Sequence, residues 1–130
     1  MVDYREHYQE IRATGASVVA VSVDAPDKSQ VLRHELRLPF PILCDVERRV
    51  VREWDIYNPR ERGGIAKPAV FVVERDRTIR YDSVDAVATR VPASEIVRIL
   101  QAVAEGPPVR RKVYIPRLAE WFRAIRKMWR

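Results

Sequence analysis

Ala16–Asp24 reads ASVVAVSVD, and Leu38–Asp45 reads LPFPILCD. The first is a continuous apolar run closed by Ser22-Val23-Asp24, too short for a buried helix. Its density of valine suits a strand over Ser17–Val23 that is buried on both faces. The second is a short apolar run, Ile42–Cys44, again closed by an aspartate. Between them lies a helical pattern, with Asp24 as cap, Pro26 in the first turn, and Val31, Leu32 and Leu36 turned inward. Strand, helix and strand at this spacing make a βαβ unit, so the two strands are expected to run parallel in one sheet.

The pattern extends in both directions. Tyr4–Ala13 is predicted as a helix with Tyr8, Ile11 and Tyr4 on one face, stopped at Gly15. Asp45 caps a helix carrying Val46, Val50, Val51 and Trp54. Asn58–Gly64 is polar and reads as a surface loop. Ala69–Glu74 and Thr78–Val84 are two strands joined by Arg75-Asp76-Arg77, a tight hairpin. Pro92 opens a helix with Ile96, Ile99, Leu100 and Val103 buried, and Gly106-Pro107-Pro108 ends the domain.

With 130 residues the chain makes one domain with a single core. Its 47% apolar and 32% charged residues are those of a soluble globular protein, and no stretch is long and apolar enough to span a membrane. The charged opening MVDYREHYQEIR is not a secretory signal. One cysteine permits no internal disulfide, and the expected compartment is the cytosol. One cysteine and two distant histidines give no metal-ligand cluster, and Gly63-Gly64 is not a phosphate loop; neither metal nor cofactor is expected.

Charge is unevenly placed. Residues 107–130 carry eight basic groups and one acid, a net +7, whereas residues 1–106 sum to −1. The chain thus divides into a body, 1–106, and a basic extension, 107–130. In the extension Leu118, Trp121, Phe122, Ile125, Met128 and Trp129 recur at helical spacing after Pro116, opposite Arg117, Arg123, Arg126, Lys127 and Arg130. That is a basic amphipathic helix. It is expected to dock on the body or on a second subunit; an anionic membrane surface or nucleic acid is the other option.

The residues also carry a resemblance. HYQEIRATGASVVAVSVD, FPILCD, EWDIY, GIAKPAVFVV and TIRY resemble, in this order and spacing, the peroxiredoxin family of alkyl hydroperoxide reductase and thiol-specific antioxidant (AhpC/TSA) type. The resemblance covers roughly residues 4–104. It implies a thioredoxin-like three-layer α/β/α sandwich, here lacking its first strand, and the antioxidant oxidoreductase class. In that class a cysteine thiolate reduces a hydroperoxide and an external thiol regenerates it. Asp55 stands where the family usually has glycine.

The family's peroxidatic cysteine belongs to a P-x-x-x-T/S-x-x-C motif, which the matched helix places a few residues before Met1. Either the start is truncated, or a short protein has lost peroxidase chemistry and kept the scaffold. The alternative function is a non-catalytic interaction module that docks through its C-terminal helix. Cys44 is the sole thiol and thus the only surrogate nucleophile; its other reading is a small apolar residue at a buried strand end. Pro68, directly before a strand, resembles the cis-proline of thioredoxin-like proteins and replaces an arginine usual in peroxiredoxins. Lys67 is a source of positive charge beside a thiolate, or simply a solvated loop lysine. A homodimer is the expected assembly.

Overall fold

The computed structural model describes residues 1–61, 63–85 and 90–105. The basic extension 107–130, with its predicted helix, lies outside the described residues.

The first predicted helix is two short ones, α1 (Val2–Glu6) and α2 (Tyr8–Ala13). His7 separates them with φ −94° and ψ 11°, and its Nδ1 lies 3.0 Å from the Asp3 carbonyl oxygen. The break turns the two halves to different neighbours. Ile11 on α2 is fully buried and Tyr8 packs on Phe40, whereas Tyr4 on α1 joins the core of the C-terminal half.

Strand β1 (Ala20–Ser22) pairs in parallel with β2 (Ile42–Cys44), with Ala20 opposite Ile42 and Ser22 opposite Cys44. The βαβ expectation therefore holds, with α3 (Pro26–Glu35) as the crossover. Burial on both strand faces does not. Val19, Val21 and Leu43 are 52%, 46% and 56% exposed, because among the described residues no element covers that side of the ladder. Val31 and Leu32 on α3 are exposed as well, and Ser29 takes the buried position. The cap of α3 is Ala25; Asp24 instead accepts the Ser22 hydroxyl.

Helix α4 (Arg49–Glu53) buries Val51 and leaves Val50 exposed, as are Val46 before the helix and Trp54 at its C-cap. Its C-terminus forms a Schellman turn: Asp55 N–H donates to the Arg52 carbonyl and Ile56 N–H to that of Val51. Asp55 takes the left-handed position, φ 55°, that glycine fills without strain. Arg37 closes α3 the same way, φ 49°, with Arg37 and Leu38 donating to His34 and Arg33.

The predicted loop after Tyr57 is framed by two antiparallel pieces, β3 (Tyr57–Asn58) and β4 (Ile65–Ala66). Strands β5 (Ala69–Val73) and β6 (Ile79–Val84) form the expected hairpin, with Arg77 at φ 71° in the turn and a register shift at Val72/Val73. A left-handed residue at that place matches the three-residue hairpin geometry. Helix α5 (Ala93–Glu105) lays Ile96 and Ile99 on Val72 and Tyr81, and Val91, Leu100 and Val103 complete this core. Ladders β1–β2 and β5–β6 share no strand hydrogen bond among the described residues.

Candidate functional site

Cys44 ends β2 and is half-buried, not enclosed as the strand pattern predicted. It lies in a shallow surface depression with Asp45, Val46, Glu47 and Arg49. Asp45 controls this place. Its N–H donates to the Ser22 carbonyl at 2.7 Å, continuing the β1–β2 ladder by one residue. Its carboxylate turns the other way: Oδ1 accepts the Arg49 N–H at 2.9 Å and Oδ2 the Val51 N–H at 3.0 Å. Partial desolvation pushes the Asp45 carboxyl upward, but the N–H groups of Val51, Val50 and Arg49 outweigh it and hold the carboxyl below its ordinary value. The predicted capping role is therefore real, although the helix starts four residues later and Arg48 is its formal cap.

Arg48 has φ 58°; its Nε donates to the Gly64 carbonyl and its Nη1 to that of Val46. Arg49 pairs with Glu47 at the surface. Arg48 and Arg49 are thus engaged with carbonyl oxygens and a carboxylate.

Pro68 and Lys67 lie elsewhere, in the link from β4 to β5, and neither lines the Cys44 depression. The predicted cis bond at Pro68 is corrected: all described peptide bonds are trans. The reason is the extended path of this link. Lys67 N–H donates to the Ile56 carbonyl at 2.7 Å, and the Pro68 carbonyl accepts the Asp85 N–H at 2.8 Å. Both ladders continue through the dipeptide without a reversal, so the ordinary preference of about 0.5–1 kcal/mol for trans is unopposed. The Lys67 side chain is exposed, the solvated alternative.

A polar cluster that the sequence reading passed over lies under α1. Tyr81, Ser83 and Asp85 occur at every second residue, the last just past β6, and all three are buried. The Ser83 hydroxyl meets Asp85 Oδ1 at 3.1 Å. Tyr4 faces the group with its hydroxyl buried. Burial first, then the nearby Asp3, Tyr81 and Asp85, push the Tyr4 phenol well above its ordinary value. The signal was the period of two in Tyr81-x-Ser83-x-Asp85. No group of three or more His, Cys, Asp or Glu side chains among the described residues is placed to hold a metal.

Residues 1–82 match the AhpC/TSA family. The chain belongs to that family of peroxiredoxins. It is similar to a peroxiredoxin of Thermoplasma volcanium, 21% identical over 108 residues, covering 78% of this chain and 52% of that one. Peroxiredoxin 2 of Sulfuracidifex metallicus is 26% identical over 126 residues, covering 92% and 56%. Among solved structures, AhpC of Enterococcus faecalis superposes with a TM-score of 0.71 at 24% identity, covering 78% of this chain and 62% of the other. Reduced Prx3 of Vibrio vulnificus, in complex with hydrogen peroxide, gives 0.73 at 13% identity, covering 81% and 68%. These likenesses establish the thioredoxin-like fold expected from the sequence. The chain spans about half the length of the relatives it matches.

Proposed function

We propose that this chain is the thioredoxin-fold scaffold of a thiol-dependent hydroperoxide reductase and does not turn over peroxide through its own thiol. The observation that carries this reading is the arrangement at the end of β2. A peroxide-reactive cysteine needs a stabilised thiolate, supplied by helix N–H groups and nearby free cations. The N–H groups of Arg49 and Val51, which face the end of β2, are bonded to Asp45 and not to Cys44. Arg48 and Arg49 have other partners, and Lys67 lies outside the depression.

In a complete family member the thiolate attacks one peroxide oxygen and the O–O bond breaks. The products are a sulfenic acid and, after protonation, an alcohol or water; one external thiol then displaces water from the sulfenic acid to form a mixed disulfide, and a second releases the thiol, the two external thiols ending as a disulfide. That reductant, a homodimeric assembly and a cytosolic location belong to the same reading. The single cysteine and the relatives' family support them.

Trapping of sulfenic acid by dimedone, followed by mass spectrometry of the intact chain, tests the proposal at the residue. Cys44 is expected to be modified by hydrogen peroxide no faster than an ordinary cysteine peptide. Modification orders of magnitude faster would make Cys44 the peroxide-reactive thiol and overturn it.

A further inference from the structure

The open side of the β1–β2 ladder is the largest departure from what the sequence demands, because two valines and a leucine on adjacent parallel strands present one apolar surface. Val21 and Leu43 are register partners, and Val19 lies on the same face two residues earlier. We propose that residues 116–130 of the same chain cover this face, seating Leu118, Trp121, Phe122, Ile125 and Trp129 against Val19, Val21 and Leu43.

Three observations select this occupant. The first is reach. The described chain ends with α5 at Glu105, and ten residues, 106–115, precede Pro116. Ten residues extend to at most about 33–36 Å, while a body of this size has a radius of gyration of about 13 Å. The second is shape. A fifteen-residue helix is about 22 Å long, enough to cross both strands, and the extension's apolar positions repeat on one side only. The third is charge. Parallel pairing brings the ends of β1 and β2 together, and the exposed Asp24 follows β1 at that end, with the exposed Asp27 three residues on in the first turn of α3, while the extension carries a net +7. Arginines flanking an apolar stripe would meet carboxylates there.

The test uses the full chain in a Cys44→Ser background, with Val21→Cys paired either with Phe122→Cys on the apolar side or with Lys127→Cys on the basic side. Mild oxidation of dilute protein is expected to close the first pair within one chain roughly tenfold faster than the second, since docking raises the effective concentration of only one pair. Hydrogen exchange on the unsubstituted chain is the second measurement. Amides of residues 118–129 are expected to be protected, and the protection to fall when Val21 and Leu43 are both replaced by Asp. Three results overturn the proposal. Disulfides forming only between chains would make a second copy the occupant. Equal closure of the two pairs would deny a specific seat. Protection appearing only on phosphatidylglycerol vesicles would make the extension a membrane element.

Discussion

Asp3 Oδ2 accepts the backbone N–H of Ala93 at 2.7 Å, across ninety positions of sequence. A side chain from the first helix thus satisfies a donor at the start of the last one. Such a bond does for α5 what a local cap ordinarily does, since the first N–H groups of a helix have no partner within it. It also ties α1 to the core that α5 builds with β5 and β6. Asp3→Ala should lower stability by about 0.5–2 kcal/mol, as loss of a cap does. Asp3→Asn, which keeps the accepting oxygen, should lower it much less. Denaturant unfolding of the two variants checks this, and equal losses would show that the negative charge, not the hydrogen bond, matters.

Asp55 and Arg37 occupy left-handed positions at the ends of α4 and α3. A non-glycine residue there costs about 1–2 kcal/mol, partly offset by the greater freedom of glycine in the unfolded chain. Asp55→Gly and Arg37→Gly should each stabilise the protein by about 0.5–1 kcal/mol. Thermal unfolding decides it; a loss of stability would mean that these side chains make contacts worth more than the strain.

Gly64 gives the opposite case. It is buried at φ 99°, and a Cβ there would collide with the Tyr57 ring, over which the Arg52 guanidinium stands 4.8 Å from the centroid. Gly64→Ala should destabilise by about 1–3 kcal/mol, the range for overpacking. Part of that loss should disappear in a Tyr57→Ala background, where only the backbone strain remains. A double-mutant cycle measures the coupling, and strict additivity would contradict the contact.

His7 lies where α1 meets α2. The bond between its ring and the Asp3 carbonyl oxygen is the main cause that raises its pKa, and partial desolvation opposes it. A raised folded pKa means that the protonated ring favours the folded state. This contribution is complete below the unfolded value near 6.5 and is lost as pH rises through the higher folded value. Stability should therefore decline as pH climbs above about 6.5. The decline should be absent in His7→Gln, which shows as converging melting curves at alkaline pH.

Much of this fold was legible because its signals are local. The Val-rich run, the Ile42–Cys44 strand and the stripe of Ile96, Ile99 and Leu100 each declare their element by periodicity alone. Asp55 was noticed as a poor glycine substitute, and its φ bears that out. What escaped depended on partners distant in sequence. The exposure of Val19, Val21 and Leu43 follows from which elements cover β1–β2, and no strand pattern contains that information. Pro68, directly before a strand, resembled a cis-proline, yet the bonds that link its segment to Ile56 and Asp85 keep it extended and trans. Asp45 was read correctly as a cap, but not as the group that takes the N–H donors beside Cys44.

Peroxide turnover is the most direct test of the central claim, that the scaffold of a peroxiredoxin is present here without a working thiolate of its own. Hydrogen peroxide consumption should be followed with the purified 130-residue chain and its Cys44→Ser variant, with dithiothreitol or thioredoxin and its reductase as electron donor. The account predicts that the two proteins consume peroxide at the same rate, indistinguishable from the reductant alone. Saturable turnover that is present in the unsubstituted chain and lost in Cys44→Ser would contradict it and identify Cys44 as the nucleophile.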